Sequence, residues 1–432
     1  MNRRRPGALV PGALVLGAWV LGAAAASAQL PQPAEKLTFQ AAIDRAERNN
    51  PSVAAAAAGI LRAESLLRQA RAATLLQVNG TVTTTTLNRG VSFDGNVVSP
   101  RNSITASLTA DMPVVAAAAW AQRAQAGDQQ HIAELSVAEA RRQIALATAD
   151  AYLTVIASHR VLEANQRARD VAKAHADLAD QLEQKGSGSR LNALRAHQQW
   201  STDEGLLESS RLALYRSQEA LGVLVVANEP VDADGEPSFD VPAEPTPATD
   251  SLLLSRTDLK LFSARTQAAE RVVRDSRKDY WPSLSAIFQP STTHPSQFFV
   301  PANSWRFMLQ AAVPLFDSGQ RAGLKVERQA ALEEARAALS GAATQAASEV
   351  RSAREAVASS ERSLATARDA ADAAQQVVTI TNVSFRAGAA TNIEVIDAER
   401  SARDADTAVA VAEDTLRRAK LELLTALGRF PQ

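Results

Sequence analysis

The chain has 432 residues, a formal net charge of −1 and no cysteine. The near-neutral charge provides no basic surface for nucleic acid, and without cysteine there can be no disulfide, no thiolate metal site and no lipidated cysteine. Aromatic residues make up only 4% of the sequence while alanine-rich polar stretches dominate, which favours long packed helices over compact domains.

The N-terminus has the layout of a secretory signal peptide. Residues 3–5, all arginine, precede an apolar run that ends in Ala-Ser-Ala at residues 26–28. We predict cleavage after Ala28, with an uncleaved membrane anchor as the alternative. Beyond residue 28 no stretch reaches the roughly 20 consecutive apolar residues that a spanning helix needs. A mature chain that enters a membrane would therefore do so as a closed β-barrel.

Most of the chain consists of two copies of one unit. Each copy opens with a helix start, continues through a β-like run and a proline-containing strand-to-helix junction, and ends in a glycine turn and a periodic helix. The matched landmarks are residues 50–53 and 256–259, residues 112–115 and 313–316, and Gly186 and Gly388. We predict one unit over residues 29–227 and a second over residues 251–432, rather than two unrelated helical domains.

Residues 228–250, between the copies, predict an exposed linker. The segment holds five prolines, seven acidic residues and no basic residue. Proline cannot donate a backbone hydrogen bond, so neither a helix nor a central strand is expected there.

Each copy contains a predicted β-hairpin with one apolar face. The first pairs about residues 78–87 with 103–112 across a loop that contains glycine, asparagine, serine and proline, and the second pairs about residues 283–289 with 304–313. Apolar and polar residues alternate, so that one face would contact lipid and the other water. The apolar positions of the later strands are Ile104, Ala106, Leu108, Ala110 and Met112, and Trp305, Phe307, Leu309, Ala311 and Val313.

Aromatic residues concentrate in and around the second hairpin. Eight of the nineteen fall between Tyr280 and Phe316. Aromatic rings gather at membrane–water boundaries, which favours a membrane-inserted hairpin. An aromatic mini-core beneath a hairpin in water is the alternative.

Each β-hairpin leads into a very long helical hairpin, with turns near residues 186–190 and 387–391. No proline interrupts residues 114–185 or 315–430. A helix of about 70 residues spans on the order of 100 Å, and small residues recur at coiled-coil spacing. Four strands cannot close a barrel, so copies must pool them, eight in a dimer or twelve in a trimer. The predicted fold is mainly α, a helical coiled-coil barrel continuing from a membrane β-barrel.

Four segments carry a family resemblance. They are Asn-Pro-Ser-Val at residues 50–53, Val-Pro-Leu-Phe-Asp-Ser-Gly at 313–319, Phe-Arg-Ala-Gly at 385–388 and Ile-Glu-Val-Ile-Asp-Ala at 393–398. Through them the chain resembles the TolC-like family of outer-membrane efflux proteins over nearly the whole mature sequence. The resemblance implies a homotrimer with a twelve-stranded barrel in outer-membrane lipid and an α-helical tunnel in the periplasm. It also implies docking on a periplasmic adaptor that links the channel to an inner-membrane pump.

The resemblance further implies roles at the periplasmic end of the tunnel. Glu394 and Asp397 stand where family members carry two acidic rings, and a spacing of three places both carboxylates on one helix face. Six carboxylates around the mouth of a trimer would favour cations, and an ordinary solvated helix face is the alternative. Phe385 and Ala390 occupy the positions of a tyrosine and an arginine that commonly hold the aperture closed. Since neither can supply that polar latch, we predict that closure depends on packing of Phe385.

The two turns are predicted to form the tips that meet the adaptor. The residues assigned to these tips are Gly186, Ser187, Gly188, Gly388 and Ala389. Glycine suits a tight turn between helices. A phosphate-binding loop is the alternative for residues 185–190, but no predicted strand precedes it and no Lys-Ser/Thr pair follows.

No other chemistry is evident from the residues. The five histidines lack metal-ligand spacing and no nucleophile lies in a pattern with a base, so we predict no metal site, no cofactor and no catalysis. Two other classes of protein stay open. One is a periplasmic adaptor, which would need β-rich segments around a single helical hairpin, and the other is an exported structural coiled coil.

Overall fold

The computed structural model describes residues 34–241, 249–299 and 301–430, and the predicted signal peptide lies outside these ranges. Helices dominate, and the order of elements in the first half of the chain recurs in the second. The helices are α1 (Phe39–Asn49), α2 (Pro51–Ala72), α3 (Ala117–Gln184), α4 (Arg190–Val225), α5 (Thr249–Ser255), α6 (Thr257–Asp275), α7 (Gln320–Arg386) and α8 (Asn392–Ala426). The strands are β1 (Glu35–Leu37), β2 (Gln77–Thr86), β3 (Val91–Phe93), β4 (Asn96–Ser99), β5 (Asn102–Val115), β6 (Val231–Ala233), β7 (Ser283–His294) and β8 (Asn303–Ala312).

Helices α2 and α6 begin at the predicted helix starts of the first and the second copy. The side-chain oxygen of Asn50 caps α2 by accepting a hydrogen bond from the Ser52 amide at 2.9 Å. Pro51 fills the first helical position, where no amide hydrogen is needed. In the second copy Asp258 lies in the first turn of α6, where the helix dipole stabilises a carboxylate.

The long helices form two antiparallel helical hairpins, α3 with α4 and α7 with α8. α3 and α7 have 68 and 67 residues, so each is about 100 Å long. Small and apolar residues such as Ala145 and Ala149 are fully buried along α3, which lets neighbouring helices approach closely. None of the helices that the structure describes has the length and apolar character needed to cross a membrane.

The largest core lies where α1 packs against α3 and α4, and where α8 packs against α3. Ile43 of α1, Leu153 of α3, Leu221 of α4 and Leu421 of α8 are almost completely buried there. Tyr152 lies inside the same core, and its hydroxyl donates a hydrogen bond to the carbonyl of Gly235 at 3.0 Å. Burial raises the pKa of Tyr152 to about 12.

The prediction of an exposed linker over residues 228–250 is wrong for its first part. β6 (Val231–Ala233) pairs in parallel with β1, and Val231 is fully buried in the core. The strand is short enough for the nearest prolines to flank it rather than interrupt it. Asp232 is also buried, and it is paired with His159 Nε2 at 2.7 Å.

The two β-hairpins join in one antiparallel sheet with the strand order β2-β5-β7-β8, so the two copies meet at the β5–β7 pair. β7 continues to His294, beyond the predicted end at residue 289. The loop of the first hairpin, predicted from its glycine, asparagine, serine and proline content, contains a further small hairpin of β3 and β4. Asp94 and Gly95, both with positive φ, form its two-residue turn, a conformation that Asp-Gly favours.

Candidate channel site

The four-stranded sheet has one apolar face and one polar face. Phe288 of β7 lies opposite Phe307 of β8, and the same face carries Val78, Val82, Ala106, Leu108, Ala110, Met112, Leu284, Ala286, Trp305 and Leu309. Side-chain hydrogen bonds cross between strands on the other face. They join Thr105 to Thr293 at 3.2 Å, Arg306 to Gln289 at 2.7 Å and Ser291 to Ser304 at 3.0 Å. Such a sheet suits a barrel wall with lipid on one side and water on the other.

Both edge strands of this sheet have an outer side that is unpaired within the described part of one chain. Every residue of β2 and of β8 is exposed, including Trp305 at 71% and Leu309 at 64%. Among the described residues, no further strand pairs with the outer sides of β2 and β8. Unpaired backbone groups are not tolerated in lipid, so the sheet must continue into another chain if it enters a membrane.

The predicted glycine turns connect the helices of each helical hairpin. Gly186 joins α3 to α4 and Gly388 joins α7 to α8, and both have a φ of 75°, which L side chains rarely adopt. In each turn the amide that follows the glycine donates to the carbonyl five residues earlier, at 3.0 Å in the first and 2.8 Å in the second. The exposed tip residues are Gly186, Ser187, Gly388 and Ala389, and Gly188 is partly buried.

Glu394 and Asp397 are both exposed near the start of α8. Glu394 also belongs to a capping box, since its carboxylate accepts a hydrogen bond from the Thr391 amide at 2.6 Å. Thr391 Oγ1 in turn accepts from the Glu394 amide at 3.4 Å. The structure thus places both carboxylates at an accessible helix start, and one of them stabilises that start.

Phe385 and Ala390 flank the second turn. Phe385, on the last turn of α7, is partly buried, and its ring lies 5.4 Å from the ring of His175 on α3. The Ala390 amide donates to the carbonyl of Ser384 at 3.3 Å. Phe385 therefore contributes to packing between the two helical hairpins.

A buried polar cluster joins the two helical hairpins next to their turns. We call His175, Asn392 and Asn192 the clasp. His175 Nε2 donates to Asn392 Oδ1 at 2.8 Å, and Asn392 Nδ2 donates to the carbonyl of Asn192 at 3.3 Å. His175 is only 4% exposed, and burial lowers its pKa below the usual 6.5.

A second set of contacts joins α4 to α8 farther from the turns. Arg403 pairs with Asp203 at 2.6 Å, where Asp203 is buried and Arg403 is partly buried. Arg400 donates to Gln199 at 3.2 Å. Glu399 lies near Asp203 and has one carboxylate oxygen that is buried without a partner among the described residues.

Glu399 lines a cavity of 490 Å³ between the helical hairpins, together with Asp203 and Arg403. Burial, reinforced by the negative charge of Asp203, raises the pKa of Glu399 to about 8. No group of three or more potential metal ligands lies together in the part of the chain that the structure describes.

A family model for outer membrane efflux proteins matches residues 42–225 and 248–429, which is most of the chain. The chain belongs to the outer membrane efflux protein family. The family resemblance inferred from the four sequence segments is thereby confirmed, and so is the placement in the outer membrane with a large periplasmic helical part. As an efflux channel, the protein is neither a periplasmic adaptor nor a structural coiled coil.

Solved structures share the fold of this efflux protein at low sequence identity. A membrane protein from Pseudomonas aeruginosa is 19% identical, with a TM-score of 0.81 over 91% of each chain. The outer membrane protein VceC from Vibrio cholerae is 20% identical, with a TM-score of 0.76 over 90% of this chain and 96% of its own. The open state of the MtrE outer membrane channel from Neisseria gonorrhoeae is 19% identical, with a TM-score of 0.75 over 91% and 90%. No curated protein matches the chain. The predicted fold class, mainly α with a strand domain, is confirmed by these likenesses.

The sequence patterns do not single out the residues that join the helical hairpins of the efflux protein. Asn192 and Asn392 are 200 positions apart, as are Asp203 and Arg403. Both spacings are close to the displacement between the two copies, because each contact joins nearly equivalent positions of the two copies. A search for polar pairs at that displacement would have found both contacts. His175 has no such signal, since its partner lies 217 positions away.

Proposed function

We propose that three copies of this channel close a twelve-stranded barrel in the outer membrane, which continues as a helical tunnel into the periplasm. The assembly acts as the exit duct of an inner-membrane pump, reached through a periplasmic adaptor. Family membership supports the channel, and the sheet with two open edges is the observation that carries the assembly.

Closure by copies of the chain would pair β8 of one protomer with β2 of the next. Each protomer supplies four strands, so two copies give eight and three give twelve. The interior of an eight-stranded barrel is filled by side chains or holds one small ligand. Twelve strands enclose a wider interior, lined by the polar face of the sheet, and this favours three copies for a conduit.

The long helices support the tunnel. α3 begins two residues after β5 ends, and α7 follows β8 after a short junction, so both continue from the same end of the sheet. At about 100 Å each, they extend the proposed barrel wall well beyond the membrane. Their partners α4 and α8 complete a wall of four helix segments for each protomer.

Disulfide trapping in this cysteine-free chain tests the assembly. One cysteine is placed in β2, at Thr81 or Thr83, and another in β8, at Arg306, Met308 or Gln310, all on the polar face. After oxidation in outer membranes, at least one pair is expected to give a ladder ending at three chains. A ladder that ends at two chains, or monomer alone in every combination, would contradict the trimer.

A matched control uses the inner strands. Cysteines at Thr105 and Thr293, whose hydroxyls lie 3.2 Å apart across β5 and β7, should form a disulfide within one chain. That pair confirms oxidation without any increase in mass.

For the aperture, we propose that Glu394 and Asp397 of three protomers line the periplasmic mouth and favour cations. Their exposure at the start of α8 supports this assignment. We also propose that Phe385, packed on His175, contributes to closure where Ala390 provides no polar latch. Phe385→Ala should then raise the resting conductance in planar bilayers, whereas Phe385→Tyr should preserve closure.

We propose that both turns dock on the adaptor. Substituting Gly186 or Gly388 would test this poorly, because their positive φ strains any L side chain. Ser187→Trp and Ala389→Trp change the exposed tips at positions that already hold a side chain. They should reduce cross-linking to the adaptor while the yield of trimer stays unchanged. Full cross-linking in both variants would place the docking surface elsewhere.

A further inference from the structure

We propose that the clasp of His175, Asn392 and Asn192 is an acid-sensitive latch that holds the two helical hairpins together beside their turns. Protonation of His175 would release it. Only the consequence of the latch, which is opening of the periplasmic end, rests on the proposed function. The contacts themselves lie within one chain.

The hydrogen bonds define the protonation state of His175. Asn392 Nδ2 donates to the Asn192 carbonyl at 3.3 Å, so the Oδ1 atom of the same amide faces His175 as an acceptor. His175 Nε2 must therefore carry the hydrogen that Oδ1 accepts. Nδ1 is then the unprotonated nitrogen of a neutral ring, and it is buried without a hydrogen-bond partner among the described residues.

A second proton would have to go to Nδ1. That nitrogen would become a donor in a buried site where the described residues offer it no acceptor, and the ring would carry a buried positive charge. Burial is the main cause that lowers the pKa of His175, and the hydrogen bond with Asn392 opposes it only in part. Because the folded pKa lies below the unfolded 6.5, the clasp is at full strength above that value and loses stability as the pH falls through the folded pKa.

The position of the clasp makes its release consequential. His175 lies on α3 and contacts Phe385 of α7 and Asn392 of α8, and Asn192 on α4 accepts the last hydrogen bond. All four long helices thus meet at one buried imidazole, within a few turns of both tips. A charged His175 would disturb the packing of Phe385 and the anchor of Asn392 at the same time.

Several charged groups on the surrounding helices pair with other residues or are exposed to solvent. From α4, His197 pairs with Asp180 inside the first helical hairpin, and Asp203 pairs with Arg403 of α8. On α8, Glu394 caps its own helix start, Arg400 is bonded to Gln199, and Glu399, with a pKa of about 8, is mostly protonated at neutral pH and below. On α7, Arg386 is exposed to solvent. Of these groups, His197 is the only other imidazole, which makes it the matched control.

Spin labels on the tips test the latch directly. Cysteines at the exposed positions Ser187 and Ala389 are labelled in the full chain, which is diluted with unlabelled chain so that the measured distance lies within one protomer. Pulsed electron spin resonance then follows this distance from about pH 7 to about pH 5, the range over which histidine changes charge. A second, longer distance is expected to grow in as the pH falls.

Two variants make the result specific. His175→Gln keeps a donor for Asn392 but cannot titrate, so its tip distance should not change with pH, whereas His197→Gln should respond like the unmodified chain. If His175→Gln does not assemble, His175→Phe, which keeps a ring against Phe385, replaces it. A pH-independent distance in the unmodified chain, or a response that persists in the His175 variant, would overturn the proposal. The readout requires no conductance, so it stays separate from any failure of the proposed duct.

Discussion

The two tip turns of this channel share a backbone but differ in the side chains around it. Gly186 and Gly388 have the same φ of 75°, and the amide after each closes the turn on the carbonyl five residues earlier. Two residues beyond the glycine, the first turn has Gly188 and the second has Ala390. The Gly188 amide lies 2.8 Å from its acceptor, whereas the Ala390 amide lies 3.3 Å from the equivalent one. The first turn is therefore tighter, and a Cβ at Gly188 would lie 2.9 Å from the backbone of Glu183.

The helices that follow the turns differ as well. α4 starts with a single cap, the Ser189 side chain, whereas α8 starts with the full box of Thr391 and Glu394. At the displacement of the two glycines, Glu399 of α8 corresponds to His197 of α4. His197 pairs with Asp180 in a partly exposed position, while Glu399 is partly buried near Asp203, with one carboxylate oxygen fully buried. The repeat thus preserves the backbone, and the chemistry diverges where α8 packs against the first helical hairpin.

The largest expected effect concerns the contact between the two helical hairpins. Arg403→Ala leaves Asp203 as a buried carboxylate without its cation, which should lower the free energy of unfolding by about 3–5 kcal/mol. Arg368→Ala, which breaks an exposed pair with Glu413 inside the second helical hairpin, should cost about 0–1 kcal/mol. Urea denaturation in detergent, followed by circular dichroism, measures both. Equal losses of unfolding free energy would mean that the buried pair stabilises the contact between the helical hairpins no more than an exposed pair does.

The next effect is a pH dependence of stability that arises from Glu399 in the second copy. The pKa of Glu399 is raised from 4.5 to about 8, so its neutral form stabilises the fold fully below 4.5, and that stability is lost as the pH rises through about 8. Between these values the group should lower the free energy of unfolding by about 1.4 kcal/mol per pH unit. Glu399→Gln should flatten this slope relative to the unmodified chain. The exposed Asp397→Asn serves as control, and parallel pH profiles for all three proteins would contradict the buried carboxyl.

Local patterns in the sequence predict the two copies, the strands, the long helices and both turns. These features depend on periodicity, on glycine and on proline, which act over a few residues. The burial of Val231 in a parallel pair with β1 depends instead on a partner nearly 200 residues away, and composition alone indicates a linker. The Asp94-Gly95 turn is different, since Asp-Gly is a local signal for a two-residue hairpin turn and depends on no distant partner.

The candidate site likewise contains residues whose positions the sequence predicts and residues that only tertiary packing brings together. The positions of Glu394, Asp397 and Phe385 beside the second turn follow from sequence segments that resemble a family. The clasp does not, because His175 and Asn392 are brought together only when the two helical hairpins pack. Which of the two carboxylates is less exposed could not be predicted either, since the partly buried Glu399 and the exposed Asp397 are only two positions apart on α8.

A smaller effect is expected from exchanging the residues that distinguish the two turns. Gly188→Ala inserts a Cβ against the backbone of Leu182 and Glu183, which should cost about 1–3 kcal/mol. Ala390→Gly removes a methyl group that the wider turn accommodates, and should cost about 0.5–1 kcal/mol through backbone entropy. Thermal midpoints and the rate of limited proteolysis at each turn report the difference. If the two variants were equally stable, the tighter hydrogen bond of the first turn would have no energetic consequence.

The smallest expected effect separates two roles of Glu394. Glu394→Ala removes both the charge and the capping box, and should cost about 1 kcal/mol, a typical value for a lost helix cap. Glu394→Gln keeps an oxygen that can accept from the Thr391 amide at the same place, so its free energy of unfolding should stay close to that of the unmodified chain.

If the carboxylate also lines the mouth, the two variants should reduce cation preference to the same extent, because both remove one charge per protomer. Reversal potentials in planar bilayers measure this preference, and Asp397→Asn, one turn away, should reduce it similarly without any change in stability. An unchanged reversal potential in Glu394→Gln would assign the residue to the helix start alone. If Glu394→Ala and Glu394→Gln destabilise the chain equally, the negative charge at the start of α8, rather than the geometry of the capping box, stabilises this turn. In the first copy the uncharged Asn192 occupies the equivalent position.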